Sequence, residues 1–153
     1  MSRRDQIVMS AEEAADLLAE GRIVTCATNG RDGWPHLMPL WYVLREGELW
    51  AWTYAKSQKV ANMRRDPRCT LQVEVGGEYG ELRGVMLACE AVVHDRVHVV
   101  APVGAEIAAR YGGADLTAEL EAAMRRQAAK RVALQFVERR RVSWDHRKLG
   151  GTY

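Results

Sequence analysis

No apolar run in this chain approaches the ~20 residues that a bilayer-crossing helix needs. Its first six residues, Met1-Ser2-Arg3-Arg4-Asp5-Gln6, are polar rather than the apolar core of a secretion signal. These absences predict a cytoplasmic protein with no membrane partner. Cysteine is scarce: Cys26, Cys69 and Cys89 make an odd set, each in an apolar strand-like stretch and none at metal or redox spacing. That pattern suits buried, reduced thiols. Charge of one sign is also lacking. The formal net charge of +2 excludes nucleic acid as a partner held by bulk attraction.

Several catalytic signatures are missing as well. There is no Gly-x-Ser-x-Gly elbow, no P-loop and no dinucleotide-binding glycine fingerprint, and no cysteine has an activating context. Glycines do cluster at Gly76, Gly77 and Gly80, but without the strand–loop–helix setting those motifs require. His94 and His98 stand four apart. A zincin motif needs a glutamate directly after its first histidine and a continuous helix, so the pair is not read as a metal site. Repeats, linkers and low-complexity stretches are absent, and the 153 residues read as a single domain, 1–153.

What is present is material for a core, 48% hydrophobic residues, with 27% charged residues of mixed sign for a surface. Ser10-Ala11-Glu12-Glu13 is a capping box opening a helix, and Gly21 is placed to close it in a left-handed cap. A β-branched stretch, 23–28, reads as a strand. Asn29-Gly30 and Asp32-Gly33 then turn the chain into a second strand, 35–44. Leu37, Trp41 and Val43 share one face of that strand; Met38, Leu40 and Tyr42 share the other. Both faces are apolar, so both need cover. Pro39 deprives the strand of a ladder donor and predicts an edge or a bulge.

A third strand, 49–54, sets Trp50, Trp52 and Tyr54 on one face, and Ser57 can cap a short helix that runs to Arg65, before Asp66-Pro67. The segment 68–75 alternates cleanly, with Cys69, Leu71, Val73 and Val75 inward. A long strand, 82–94, follows the glycine loop. Next come a helical region, 97–111, kinked or interrupted at Pro102 and Gly104, and a helix from Thr117. Two closing strands, 132–137 and 141–144, precede a loose tail. Many short, hairpin-linked strands with a few helices predict a mainly β protein: a small, largely antiparallel barrel with peripheral helices.

The most informative stretch is 52–59. A strand ends there and a helix begins, so the first-turn amides of Gln58, Lys59 and Val60 have no partners within the helix. Ser57 adds a hydroxyl, and Lys56 and Lys59 add charge. A phosphate suits that chemistry, although an ordinary capped surface helix has the same spacing. The strand holding Pro39, beside the Trp50–Trp52 strand, offers a flat apolar wall with disturbed backbone pairing, as a planar ring requires. A hydrophobic core with one awkward proline would look alike. The basic run Glu138-Arg139-Arg140-Arg141 reads as a solvated strand edge, or as a contact for an anionic cofactor tail or a partner subunit.

With these pieces laid out, the chain resembles the pyridoxamine 5′-phosphate oxidase-like superfamily over almost its whole length. It looks most like the actinobacterial branch of flavin and deazaflavin oxidoreductases (branch B), many of which use coenzyme F-420. The match is carried by Asp32-Gly33-Trp34-Pro35-His36, by Pro39-Leu40-Trp41-Tyr42, and by Lys56-Ser57-Gln58-Lys59-Val60-Ala61-Asn62-Met63-Arg64-Arg65-Asp66-Pro67-Arg68. Glu81-Leu82-Arg83-Gly84-Val85 and Ser143-Trp144-Asp145-His146-Arg147-Lys148-Leu149 add to it. The resemblance implies a six-stranded split β-barrel, FMN-binding-like, and a homodimer with two cofactor sites at its interface.

It further implies a cofactor phosphate at Ser57 and Lys59, with Thr53, Tyr54 and Ala55 along the cofactor and Met38, Pro39 and Leu40 along its ring. Trp144 would come from the opposite subunit. FMN-using members often carry arginine before the phosphate-binding lysine; Lys56-Ser57-Gln58-Lys59 departs from that pattern and favours the deazaflavin. The expected activity is hydride transfer between coenzyme F-420 and a small electron-poor organic substrate such as a quinone, enone or tetrapyrrole, with Tyr79, His36 or solvent as proton source. An FMN-dependent oxidase or reductase of the same fold, and a non-catalytic flavin- or haem-binding protein, are the alternatives.

Overall fold

The computed structural model describes residues 2–151. After a short helix α1 (Arg3–Gln6), α2 (Ala11–Glu20) opens on the expected capping box. Ser10 Oγ accepts from the Glu13 amide at 3.1 Å, and the Ser10 amide donates to Glu13 Oε2 at 2.7 Å. Gly21 ends the helix but not in a left-handed cap, since its φ is −60°. The glycine answers a packing need instead: a Cβ there would lie 2.6 Å from both Tyr42 Oη and Val73.

Seven strands form one antiparallel sheet: β1 (Val24–Asn29), β2 (Pro35–Leu40), β3 (Tyr42–Arg45), β4 (Glu48–Tyr54), β5 (Arg68–Val75), β6 (Arg83–His94) and β7 (Arg131–Asp145). Their spatial order is β2-β1-β5-β6-β7-β4-β3. The expected strand 35–44 is therefore divided, and the count is seven rather than six. The reason lies in pairing. Residues up to Leu40 pair with β1, whereas Tyr42 onward pairs with β4 at the opposite end of the order. Trp41 alone separates the two segments, so the chain itself joins the two edges of the curled sheet. At this crossing Tyr42 leans on the fourth helix. Arg110 Nη1 donates to the Tyr42 carbonyl at 2.7 Å, and Tyr111 Oη accepts from the Tyr42 amide at 3.1 Å. Pro39 sits on β2, an edge of the order, as its missing donor demands.

The β3–β4 turn has Glu46 at φ 51° and Gly47 at φ 83°, the paired positive values of a tight hairpin turn. The two expected closing strands are one, β7, with a bulge near Ala88/Cys89 of its partner β6. A bulge absorbs the polar run Glu138–Arg141 without ending the ladder.

Two apolar clusters flank the sheet. Inside the curl lie Leu17, Tyr42, Leu49, Met63, Leu71, Leu134 and Phe136, with α2 and α3 (Gln58–Arg65) contributing. Outside, α4 (Val97–Gly112) and α5 (Ala118–Ala128) cover Val43, Trp50 and Trp52. The expected kink or interruption in α4 is absent: the helix runs sixteen residues with Pro102 inside it. The donor that Pro102 lacks would have bonded His98, in the exposed first turn. Gly104 does not break the helix because it is needed within it; the Trp52 ring occupies the place of its missing Cβ. The expectation of a loose tail falls partly on residues 152–153, outside the described residues; before them, a 3-10 turn spans His146–Leu149.

Candidate anion and ring site at the start of the third helix

The face alternation of β4 decides which way each residue of the 52–59 stretch points. Leu49, Ala51 and Thr53 face the interior, and Trp50, Trp52 and Tyr54 face outward. Just beyond, Ser57 occupies the N-cap of α3 but makes no capping bond. Its Oγ is buried and has no hydrogen-bond partner among the described residues. A buried hydroxyl without a partner is costly unless something else satisfies it. The cap expected of Ser57 is thus present in position and absent as a bond.

Lys59 is only 8% exposed, and its Nζ donates to Thr53 Oγ1 at 3.2 Å. Among the described residues it forms no salt bridge. Burial holds its pKa below the ordinary 10.5, and nearby Cys26 partly offsets that effect. The unpartnered Ser57 hydroxyl and the first-turn amides of Gln58 and Lys59 thus lie at the start of α3, and the desolvated Lys59 ammonium bonds Thr53 at the end of the preceding strand. This donor set suits a phosphate oxygen.

A polar network fixes the helix there. Asn62, 0% exposed, donates from Nδ2 to Thr28 Oγ1 of β1 at 3.0 Å. Its Oδ1 accepts from Gln58 Nε2 at 2.9 Å, and Arg65 donates to the Asn29 carbonyl. Nothing in the sequence pattern singled out Asn62, although a buried amide flanked by Val60 and Met63 was the available signal.

The expected residues fall into two groups. Thr53, Tyr54, Ala55, Ser57 and Lys59 are contiguous at the end of β4 and the start of α3. Met38 sits opposite Cys26 in the β1–β2 ladder and is 42% exposed. Pro39 and Leu40 line a cavity of about 540 Å³ with Trp41 and Trp52. Trp144 is not brought to this place. It packs over Gly84, while Thr53 pairs with Val132, twelve residues earlier in β7 and roughly 40 Å away along the strand contour.

Of the candidate proton sources, His36 borders a cavity of about 450 Å³ with Gln58 and Asn62, and its Nδ1 is buried without a partner. Tyr79 lies against His146, ring centroids 4.4 Å apart, at the Trp144 end. His94 is engaged elsewhere, stacked on Trp50 and 3.0 Å from Gln135 Oε1. Apolar burial pushes the Cys89 thiol up to about 12, and the Cys26 thiol and burial raise Cys69 further, so neither is an activated nucleophile.

The family model for pyridoxamine 5′-phosphate oxidase matches residues 10–143. The chain belongs to the pyridoxamine 5′-phosphate oxidase family. Its sheet is the split barrel of that family, with the division at Trp41 accounting for the seventh strand. A conserved hypothetical protein from Mycobacterium tuberculosis is similar across 100% of this chain and 95% of its own, with 42% identity and a TM-score of 0.90. An F420 reductase (20% identity, TM-score 0.65, 86% and 98% covered) shares the fold. So does an FAD-binding protein from Mesorhizobium loti (20% identity, TM-score 0.64, 89% and 94% covered). No curated protein is similar to the chain at a significant level. Within this pyridoxamine 5′-phosphate oxidase fold, the anion-suited corner is built from the strand-to-helix step that the motif Lys56-Ser57-Gln58-Lys59 encodes.

Proposed function

We propose that this protein is an oxidoreductase that binds coenzyme F-420 with its phosphate at the start of α3 and reduces a small electron-poor organic acceptor. One observation carries the reading: Lys59 is buried without a carboxylate, beside the unpartnered hydroxyl of Ser57. An ammonium held in this state is stabilised by a nearby anion, which supports a phosphate here. Family membership and the shared fold of an F420 reductase support the same reading.

When bound, the reduced deazaflavin supplies the hydride. The chain's residues bind, orient and exclude water. Lys59 and Ser57 hold the phosphate, and Thr53 keeps the lysine aimed. Met38, Pro39 and Leu40 give the ring an apolar wall. His36, whose buried Nδ1 has no partner among the described residues, or solvent would supply the proton that a reduced acceptor requires. No protein nucleophile is required.

A homodimer completes the proposal. Trp34, Leu37 and Trp41, just before, on and just after β2, are 76%, 57% and 56% exposed, an apolar strip suited to a second copy, which would also supply Trp144. Titration of the purified protein with coenzyme F-420 and with FMN, read by fluorescence, tests the cofactor. Tighter F-420 binding, followed by oxidation of the reduced form with quinone, enone or tetrapyrrole acceptors, is expected. Tighter FMN binding assigns the protein to flavin chemistry on the same fold, and tight binding without turnover assigns it to storage or sequestration.

A further inference from the structure

The cavity of about 540 Å³ outside β4 contains a charge that the cofactor reading does not use. Its walls are apolar and aromatic, formed by Ile23, Trp41, Trp52, Ile107 and Met124, with Pro39 and Leu40 at the side shared with the proposed ring site. That volume lies in the range of small-molecule pockets. Trp41 is held flat against Tyr111, centroids 4.6 Å apart and planes 8° apart. Trp52 is seated against the bare backbone of Gly104. Two fixed indoles favour a flat, unsaturated ligand over a branched aliphatic one.

Among the described residues, Arg131 is the only charged one lining this cavity. Its guanidinium carbon lies 3.6 Å from the centroid of the Tyr54 ring and 5.2 Å from that of Trp52. Among the described residues it has no salt bridge and no side-chain hydrogen bond. A guanidinium stacked on a ring keeps its in-plane N–H donors available, and their fork matches a carboxylate. Among the described residues, no acidic side chain lines the cavity to compete for them.

The geometry points to a binding site for a planar aromatic or conjugated carboxylate, with the ring between Trp41 and Trp52 and the carboxylate on Arg131. Because Pro39 and Leu40 border both this cavity and the proposed ring site, the ligand is the acceptor class of the proposed reductase; the inference rests on that reading for the ligand's role, though not for its binding.

The test uses 2-naphthoate and its neutral counterpart 2-naphthamide as probes, titrated into cofactor-free protein and followed by tryptophan quenching. The expected result is at least tenfold tighter binding of the naphthoate. Arg131→Gln should abolish that preference while leaving naphthamide affinity unchanged, which also shows that the variant is folded. Arg131→Lys should keep part of the preference. Absence of binding, equal affinities in the wild type, or a preference that survives Arg131→Gln would overturn the assignment. Coenzyme F-420 and FMN are titrated separately on the same samples. Failure of both with the naphthoate preference intact removes the cofactor reading and leaves this site standing; the opposite pattern removes this site alone.

Discussion

Lys59 combines two opposed effects in one residue. Its burial without an anion destabilises the protein on its own and creates the attraction for a phosphate. Lys59→Met should therefore stabilise the cofactor-free protein by about 1 kcal/mol, measured by urea unfolding, while weakening cofactor binding tenfold or more. The pH dependence has a definite sign. The folded-state pKa lies below 10.5, so in the window below 10.5 the unfolded chain binds the additional proton and stability rises with pH. The advantage of Lys59→Met should be largest near neutrality and shrink as pH approaches 10.5; a constant difference would contradict a desolvated ammonium. Gly104→Ala tests a different residue. A Cβ there would lie 1.3 Å from a Trp52 ring atom, and overpacking of this kind costs about 1–3 kcal/mol, to be read as a lowered Tm. Lys59 was legible from its place after a strand, whereas Gly104 was read as a helix breaker because the partner that requires it is distant in sequence.

The proposed site begins α3, and Asn62 ties that helix to β1. Asn62→Ala leaves Thr28 and Gln58 without their partner and should destabilise the fold by about 1–3 kcal/mol. It should also weaken cofactor binding, because the first-turn amides and Lys59 lose their fixed aim on β1. Calorimetry in the absence and presence of cofactor separates the two effects. Hairpins, the capping box and the alternation of β5 were readable because local sequence determines them: φ-positive turns, a serine three residues before a glutamate, a two-residue period. The division of the 35–44 strand at Trp41 was not, since partner choice between β1 and β4 depends on how the whole sheet curls. The unbroken α4 was missed for a related reason. Packing of Val100, Val103 and Ile107 on the sheet outweighs the proline that propensity alone would read as a stop.

The length of β7 separates one expected residue, Trp144, from the rest of the expected site. Trp144 lies near the C-terminal end of β7, whereas Lys59 bonds Thr53, which pairs with Val132 near the other end of that strand; in the proposed homodimer the second copy would supply Trp144. Neither that arrangement nor the apolar strip on β2 follows from local spacing; the sequence showed only that both faces of 35–44 needed cover. Leu37→Asp should convert a dimer to monomer in light scattering and reduce cofactor affinity with it. Every part of the proposed function depends on a phosphorylated cofactor being held at the start of α3. That binding is tested most directly by titrating wild-type protein and Lys59→Ala with coenzyme F-420 and following the cofactor's fluorescence. The account predicts saturable binding by the wild type and an affinity at least tenfold weaker in the variant at unchanged fold. Equal affinity for the two proteins would contradict it.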